Sequence, residues 1–328
     1  MKIVIPDDYQ NLVDRLDCYN LIQRHEITRY REPARDLDQL VERLSGADVV
    51  VSIRERVEFS CALLERLPKL KLIALVGRNS QAIDFKACTE LGIPVATGKS
   101  NSPVAPAELT VALILAARRN IAPEAERMKR GDWPCTLSHR LRGSTLGIYG
   151  LGAIGQLVAE AGRGLGMDIL VFGQSASVAK ARAAGYAVAR DKTDLFERSD
   201  VLSLHVRLRS ETIGIVTAED LARMKSTALL VNTARAELIA PGALLNALRK
   251  GRPGYAAVDV YEQEPIVDGN HPFLSMANVL CTPHLGWAEW TNFELYFRET
   301  FEQIMLFEQG GPLRLANPAV IPRQRVES

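Results

Sequence analysis

The sequence predicts an α/β protein of the doubly wound type, in which helices cover both faces of a parallel β-sheet. Short runs rich in Val, Ile and Leu recur along the chain, and segments with a helical spacing of apolar residues separate them. The strand-like runs lack a clean alternation of apolar and polar residues, which indicates burial on both faces, as in a parallel sheet. The regular succession of strand and helix patterns is typical of this fold class.

The predicted strands, in chain order, are Ile3–Ile5, Val49–Ile53, Leu72–Val76, Pro94–Ala96, Thr145–Tyr149, Ile169–Phe172, Val201–His205, Leu229–Asn232, Ala256–Val260 and Val279–Thr282. Shorter helical patterns lie at Leu37–Leu44, Leu63–Leu67, Gln156–Leu165, Leu221–Met224 and Ala243–Leu248. Two longer helices are predicted at Ser102–Asn120, which begins with capping residues and a proline, and at Trp290–Gln309, which ends at a Gly-Gly-Pro stop. The proline-rich segment after Gly311 predicts an extended strap.

The length indicates a globular protein of two domains or of one large domain, and the composition excludes several classes of function. Of the 328 residues, 47% are apolar and 24% are charged, which is ample material for a core. A net charge of +1 provides no global field toward nucleic acid or an anionic membrane, so neither partner is expected. No apolar stretch is long enough to span a bilayer, and the N-terminus lacks the apolar core of a signal peptide.

The cysteines predict a cytoplasmic protein without disulfides. They are odd in number, widely scattered and form no C-x-x-C pair, so they are expected to be reduced and mostly buried, and no metal site is expected. They are Cys18, Cys61, Cys88, Cys135 and Cys281.

One glycine-rich segment predicts a dinucleotide-binding loop. The motif Gly150-Leu-Gly-Ala-Ile-Gly directly follows a predicted strand and directly precedes a helical pattern. In that setting Gly150 allows a tight turn, Gly152 lets a pyrophosphate approach the backbone, and Gly155 lets helix and strand pack closely. Gly152, Ala153, Ile154 and Gly155 are therefore predicted to bind the cofactor at the start of the helix. Without these flanks the same glycines would indicate only a packing turn.

The segment after the next strand leaves the choice between NAD and NADP open. An acid normally binds the adenosine ribose about twenty residues after the glycines. Here the chain reads Gly173-Gln174-Ser175 instead, and these three residues are predicted to contact the cofactor. The missing carboxylate removes the repulsion that excludes a 2′-phosphate, yet no arginine stands in the loop to attract one. The predicted cofactor is therefore NAD or NADP.

Four polar residues stand at or shortly after the ends of strands in the second half. They are Arg235, Asp259, Glu264 and His284. Ligands of an open α/β sheet bind outside the carboxyl ends of its strands, so these residues are expected at the same rim as the glycine loop. A His with a carboxylate partner is a natural proton donor, and an Arg is a natural clamp for a planar carboxylate. Taken singly, each residue also fits a surface charge, a turn cap or a loop acid.

The order and spacing of these segments resemble those of the D-isomer-specific 2-hydroxyacid dehydrogenases, the group that contains phosphoglycerate, glycerate and hydroxypyruvate/glyoxylate dehydrogenases. The resemblance covers nearly the whole chain. Beside the glycine loop it rests on Leu75-Val-Gly-Arg-Asn, Ala107-Glu-Leu-Thr, Leu202-Ser-Leu-His-Val, Val231-Asn-Thr-Ala-Arg-Ala-Glu-Leu-Ile, Ala257-Val-Asp-Val-Tyr-Glu-Gln-Glu-Pro and Thr282-Pro-His-Leu-Gly.

The resemblance implies two doubly wound parallel-sheet domains, with a Rossmann cofactor domain inserted into a flavodoxin-like substrate domain. The substrate domain would comprise residues 1–98 and 290–328, and the NAD(P)-binding domain residues 99–289. The resemblance also implies an active site that closes between the domains, and a homodimer built by the helix and arm near residues 102–140.

The resemblance further implies a role for each candidate residue in the interconversion of a 2-oxo acid and a D-2-hydroxy acid. His284 would be the acid and base, Glu264 its partner, and Arg235 the clamp for the carboxylate and carbonyl. The implied cofactor-binding residues beyond the two loops are Val206, Thr233, Ala234, Arg235, Asp259, His284 and Gly286, with Asp259 facing the nicotinamide carboxamide. The implied substrate-binding residues are Arg54, Val76, Gly77, Arg78, Arg235 and His284.

Two competing interpretations share this scaffold. Formate and phosphite dehydrogenases carry much of the same site, but formate dehydrogenases pair the histidine with Gln, and Glu264 argues against them. Corepressors of the C-terminal binding protein type sense NAD(H) without turnover, but they carry long disordered tails that this chain lacks. Arg207 stands where the family usually has Pro, and is interpreted as a surface residue or as a charge near the adenine pocket.

Overall fold

The computed structural model describes residues 1–133, 136–266 and 269–321, which form two compact α/β units. Unit 1 comprises Met1–Ser102 and Trp290–Ser328, and unit 2 comprises Pro103–Glu289. Unit 1 contains a sheet of five parallel strands and unit 2 a sheet of seven. The predicted fold class of two parallel-sheet α/β domains is therefore confirmed.

The strands are β1 (Lys2–Ile5), β2 (Glu26–Arg29), β3 (Val49–Ile53), β4 (Leu72–Val76) and β5 (Val95–Thr97) in unit 1, followed by β6 (Thr145–Tyr149), β7 (Asp168–Phe172), β8 (Ala187–Val188), β9 (Val201–Leu204), β10 (Leu229–Asn232), β11 (Tyr255–Val258) and β12 (Val279–Cys281) in unit 2. The helices are α1 (Leu37–Leu44), α2 (Cys61–Leu64), α3 (Phe85–Glu90), α4 (Val104–Arg118), α5 (Ile121–Lys129), α6 (Ala153–Gly164), α7 (Ser175–Ala183), α8 (Lys192–Arg198), α9 (Ala218–Arg223), α10 (Ala243–Arg249) and α11 (Trp290–Glu308).

The sheet of unit 1 has the strand order β2-β1-β3-β4-β5, which is the flavodoxin-like order. Its central strands β3 and β4 are buried along their whole length, as their unbroken apolar sequences require. They pair in register, with Val50 opposite Ile73. The last helix, α11, contributes Phe297 and Phe301 to the core, and both side chains are fully buried. Each aromatic side chain buried in this way contributes roughly 1.5–3 kcal/mol through the hydrophobic effect.

The sheet of unit 2 has the strand order β12-β11-β10-β9-β6-β7-β8, in which the direction of winding reverses between β6 and β9. This is the Rossmann order with one additional strand, and ligands bind such sheets in the crevice outside the carboxyl ends at the reversal. Because all seven strands are parallel, the segments after β6, β9, β10, β11 and β12 leave the sheet at this same edge.

Two edge strands lie outside the predicted set, for a physical reason. β2 has the sequence Glu-Ile-Thr-Arg and alternates between exposed and half-buried residues, because it packs on one face only at the edge of its sheet. β8 is only two residues long.

The helix after the glycine loop, α6, begins at Ala153 rather than at the predicted Gln156, so the loop leads straight into the helix. β5 lies one residue later than predicted.

The predicted strap after Gly311 pairs with the edge of the sheet of unit 1. The Thr97 amide donates to the Arg314 carbonyl oxygen at 2.9 Å, and the Ala316 amide donates to the Val95 carbonyl oxygen at 2.9 Å. Asn317 is 5% exposed, and its side chain bonds the Val95 amide at 2.9 Å. The strap thereby covers the otherwise open edge strand β5.

The cysteines only partly follow the prediction of buried thiols. Cys18 and Cys88 are buried and Cys281 is half-buried, but Cys61 is exposed at the start of α2, so the prediction is wrong for this residue. Cys135 lies outside the described residues. No described helix has the length and apolar character needed to cross a lipid bilayer.

A buried carboxyl group after β1 makes the stability of unit 1 depend on pH. Asp7 is 0% exposed, and neither of its carboxylate oxygens has a hydrogen-bond partner among the described residues. Burial raises the pKa of Asp7 from 3.8 to about 8, although the charge of nearby Arg56 acts in the opposite direction. The neighbouring Asp8 carboxylate adds to the rise. Between pH 3.8, the pKa of Asp7 in the unfolded chain, and about pH 8, its pKa in the folded state, the folded protein therefore holds a proton on Asp7 that the unfolded chain has released.

Because the folded state binds this extra proton, the free energy of unfolding falls as pH rises toward 8, by at most about 1.4 kcal/mol per pH unit. We expect Asp7→Asn to raise the midpoint of thermal unfolding by several degrees at pH 8 and by clearly less at pH 5. Asp38→Asn is the control, because the Asp38 side chain is 84% exposed. An equal effect of Asp7→Asn at both pH values would contradict this explanation.

Candidate active site

The glycine loop between β6 and α6 needs two of its glycines for backbone contact. Gly150 has φ +96°, and a Cβ at this position would lie 2.8 Å from the carbonyl oxygen of His205, at the end of β9. A Cβ at Gly155 would lie 2.3 Å from the carbonyl oxygen of Gly150. Any side chain at either position would push the loop away from the strands at the reversal point.

Gly152 differs from these two glycines, because the position of its missing side chain is open. It is the N-cap residue of α6, and apart from its two chain neighbours no described residue lies within 4 Å of the position that its Cβ would take. The first amides of α6 therefore face a free region at the positive end of a twelve-residue helix. This arrangement fits the diphosphate of a dinucleotide, which would fill the space that a side chain would otherwise occupy. Ala153 and Ile154 belong to this first turn, and their contact with the cofactor stays a prediction.

The loop after β7 lies against the glycine loop. A Cβ at Gly173 would lie 3.5 Å from the Gly150 Cα atom, and Gln174 is the N-cap residue of α7. The Leu151 amide donates to the Ser177 hydroxyl at 3.1 Å. Ser177 thus holds the two loops together, while Gln174 and Ser175 are exposed at the start of α7. No carboxylate is present in this turn, as the sequence indicates.

His284 and Glu264 are hydrogen-bonded to each other after β12 and β11. The bond joins His284 Nδ1 and Glu264 Oε2, and the Tyr261 amide donates to the other carboxylate oxygen at 2.9 Å. Burial alone would raise the pKa of Glu264, but the hydrogen bond and charge of His284 outweigh it and lower the pKa. The carboxylate is therefore ionised and can accept a proton from Nδ1, which leaves Nε2 as the ring nitrogen that can contact a ligand.

Asp259 holds the loop that carries His284. It is 0% exposed, and Oδ1 accepts from the Thr282 hydroxyl at 2.6 Å and the Leu285 amide at 2.8 Å. Oδ2 accepts from the Gly286 amide at 2.9 Å. Burial raises the pKa of Asp259, although these hydrogen bonds act in the opposite direction. These contacts stabilise the left-handed backbone of His284, whose φ is +51°. The sequence analysis gave a turn cap only as the alternative interpretation of this residue, and the predicted cofactor contact of Asp259 stays a prediction.

Arg235 follows β10 and is positioned by a residue that the sequence analysis did not single out. The Asn232 side chain accepts from the Ala234 amide at 3.1 Å and donates to the Arg235 carbonyl oxygen at 2.9 Å. The Arg235 guanidinium donates to the Ala234 carbonyl oxygen at 2.8 Å, and its positive charge contributes to the lowered pKa of Glu264. An Asn at a strand end before a turn was the available signal, because its side chain closes such turns.

The other predicted cofactor residues lie along the same edge of the sheet of unit 2. Val206 follows β9, and its amide is 3.3 Å from the Cβ position of Gly150. The Thr233 hydroxyl bonds the Thr110 hydroxyl of α4 at 2.7 Å. Burial lowers the pKa of His205, beside the glycine loop, to about 4, so this ring is neutral and adds no charge to the site. Among the described residues, no group of three or more His, Cys, Asp or Glu is placed to hold a metal ion.

The predicted substrate-binding residues of unit 1 lie at the carboxyl ends of β3 and β4. Arg54 has φ +56°, and its guanidinium Nη1 is 3.2 Å from the Cβ position of Gly77. Gly77 itself has φ +106°, and Val76 is the buried last residue of β4. The structure thus brings Arg54 and Gly77 together, while Arg78 is exposed in the following turn.

The Rossmann sheet and its glycine loop define a class of protein: a nicotinamide-dinucleotide-binding oxidoreductase. The model of the D-isomer-specific 2-hydroxyacid dehydrogenase NAD-binding domain matches residues 111–286, and the chain belongs to this family. The resemblance found in the sequence and the prediction of a nicotinamide cofactor are thereby confirmed.

Individual relatives carry names from several branches of the family. The chain is 34% identical over 300 residues to a glycerate dehydrogenase of Methylorubrum extorquens, covering 88% of this chain and 91% of the relative. It is 38% identical over 251 residues to a D-3-phosphoglycerate dehydrogenase of Methanocaldococcus jannaschii, covering 76% of this chain and 47% of the relative, about half its length. The solved structure of a phosphoglycerate oxidoreductase from Vibrio cholerae O395 has TM-score 0.91 and 46% identity, covering 95% and 100% of the two chains.

Proposed function

We propose that the chain catalyses the reversible reduction of a 2-oxo acid to a D-2-hydroxy acid. The observation that carries this proposal is the hydrogen-bonded His284–Glu264 pair, with the charge of Arg235 close enough to lower the pKa of Glu264. All three residues follow parallel strands of one sheet, at the edge where the glycine loop also lies. This combination supplies a proton donor and a carboxylate clamp beside a dinucleotide site.

In the proposed mechanism the protein moves one proton and holds the substrate. When bound, a nicotinamide cofactor would supply the hydride that C2 of the oxo acid receives, and would take it up in the reverse direction. His284 donates the Nε2 proton to the carbonyl oxygen during reduction and takes it back during oxidation. Glu264 remains ionised, orients the ring through Nδ1 and stabilises its protonated form. The planar fork of Arg235 binds the substrate carboxylate and polarises the carbonyl.

The first experiment measures the loss of absorbance at the nicotinamide band with NADH and with NADPH. Glyoxylate, hydroxypyruvate, phenylpyruvate and 2-oxoglutarate are offered in parallel to the purified protein. Turnover of any of them supports the proposal and determines the cofactor preference. Tight cofactor binding without turnover of any oxo acid would contradict it and favour a dinucleotide sensor.

The exposed start of α7 provides a test of cofactor recognition. We expect Gln174→Asp to lower the ratio of kcat/KM with NADPH to kcat/KM with NADH about tenfold, whatever the ratio of the unmodified enzyme. The new carboxylate would repel a 2′-phosphate and accept hydrogen bonds from a ribose 2′-hydroxyl. Gln174→Asn is the matched control, because it changes the side chain without adding charge. An unchanged ratio in Gln174→Asp would place the adenosine ribose elsewhere.

The assembly and location of the protein are part of the proposal. We propose a homodimer formed through α5 and the segment after it, because this region exposes large apolar side chains, including Trp133 at 83% and Leu137 at 95% exposure. Light scattering of the purified protein measures its mass in solution and checks whether it is that of a dimer. The cytoplasmic location and the substrate contacts of Arg54, Val76, Gly77 and Arg78 stay predictions.

A further inference from the structure

A cavity of about 270 Å³ lies wholly within unit 1, outside the carboxyl ends of β4 and β5. Three of its lining residues are basic and come from separate segments: Arg78 after β4, Lys99 after β5, and Arg314 in the C-terminal strap. Asn79 and Thr97 add neutral hydrogen-bonding groups, and no lining residue is acidic. Since the whole chain carries a net charge of only +1, this is a local concentration of positive charge.

These three basic side chains have no acidic partner, unlike several basic residues elsewhere in unit 1. Arg29, Arg66 and Lys71 each pair with an aspartate at 2.7–2.8 Å. The side chains of Arg78, Lys99 and Arg314 form no ion pair anywhere in the described parts of the chain. Like charges gathered without a counterion repel one another, and a bound anion removes that repulsion.

A carboxylate close to this cavity, that of Glu299, is bonded to the backbone after β5. Glu299 of α11 is 7% exposed and accepts from the amides of Lys99 at 2.8 Å and Ser100 at 3.0 Å, and also from the Ser100 hydroxyl. These hydrogen bonds hold the chain after β5 and leave the carboxylate its charge. Among the described residues, Glu299 forms no ion pair with the basic side chains that line the cavity, which keep a surplus of positive charge over this one carboxylate.

The segments that carry the basic residues are held by backbone hydrogen bonds. The Gly98 amide donates to the Gly77 carbonyl oxygen at 2.8 Å, which ties the turn after β5 to the turn after β4. The Arg314 carbonyl oxygen accepts from the Thr97 amide at 2.9 Å, and the Arg314 amide donates to the Gln303 side chain at 2.7 Å. The positive charges thus project from a fixed frame, which lowers the entropy cost of binding a ligand.

We propose that this cavity is a binding site for a doubly charged oxyanion of the size of a phosphate group. Two guanidinium forks and one ammonium group match the oxygens and the charge of a phosphoryl group. The volume is just below that of pockets for drug-sized ligands, so it suits one small anionic group. The anion is either free in solution or the remote group of a phosphorylated substrate, and only the second case rests on the proposed function.

Calorimetric titration with inorganic phosphate, at constant ionic strength kept with chloride, tests the site without turnover. We expect Arg314→Ala to weaken phosphate binding about tenfold. Arg314→Lys should retain most of the affinity for phosphate, because only Arg314→Ala loses the charge-assisted contact. Arg31→Ala is the matched control, since Arg31 is exposed after β2 at the opposite edge of the same sheet. Equal phosphate affinity of the unmodified protein and Arg314→Ala, or no binding to either, would overturn the proposal.

Kinetics with hydroxypyruvate and its phosphate ester distinguish the two sources. If the anion belongs to the substrate, Arg314→Ala raises KM for the ester about tenfold, leaves KM for hydroxypyruvate unchanged, and phosphate competes with the ester. If the anion is free, both KM values stay unchanged, and phosphate alters hydroxypyruvate turnover only while Arg314 is present. Retained phosphate binding without any turnover would contradict the proposed function and still support the anion site.

Discussion

Replacement of His284 by Gln is expected to lower kcat/KM for oxo-acid reduction about a thousandfold, because the variant cannot donate a proton to the carbonyl oxygen. The affinity for the reduced cofactor, measured by its fluorescence, should change far less than turnover. Glutamine keeps a polar side chain in the loop that Asp259 holds, so the fold should be retained.

The chain offers a matched control for this variant. His271 also lies in unit 2 beside a glutamate, with its Nε2 atom 3.5 Å from a carboxylate oxygen of Glu262. His271→Gln should leave turnover essentially unchanged, because this second pair lies outside the proposed proton path. If both variants lose activity equally, the loss reflects general damage to unit 2. If neither does, His284 is not the proton donor.

Glu264→Gln provides a second test of the His284–Glu264 pair. The Glu264 carboxylate, whose pKa is lowered chiefly by His284 against the effect of burial, stabilises the protonated ring. Its removal should therefore move the alkaline limb of the pH profile for reduction to lower pH. A loss of activity that is uniform across pH would indicate that Glu264 only holds the loop.

Replacement of Arg235 by Ala is expected to lower kcat/KM about a thousandfold, because both the substrate carboxylate and the polarisation of the carbonyl lose their partner. Arg235→Lys should recover only a small part of the lost kcat/KM, since an ammonium group cannot form the planar two-point contact. Added guanidinium salts should partly restore the activity of Arg235→Ala. A fall of less than about tenfold would contradict the clamp role.

Arg223→Ala is the control for the arginine variants. Arg223 forms a surface ion pair with Glu197 at 3.1 Å, and such pairs contribute about 1 kcal/mol or less. Its loss should leave both kcat and KM unchanged. Because Arg235 contributes to the low pKa of Glu264, the pH profile of Arg235→Ala should be recorded as well.

The sequence-based prediction succeeded where a local pattern carries the information. The glycine loop could be found because only glycine fits the close approach of Gly150 to His205 and of Gly155 to Gly150, and the flanking strand and helix are apolar runs of recognisable period. It missed the edge strand β2, because a polar strand packed on one face has no strong apolar pattern. It also missed the exposed setting of Cys61, since exposure depends on which face of α2 meets the core.

By itself, the sequence determined the fold class, the glycine loop between β6 and α6 and the set of polar residues at strand ends, because strand and helix periods and strand-end positions are local properties. Only the tertiary structure decided which of these residues meet. His284 reaches Glu264 across twenty positions, Asp259 closes the loop around His284, and Arg314 joins Arg78 and Lys99 around one cavity. Such contacts follow from strand order and chain closure, which bring together residues that no local pattern connects.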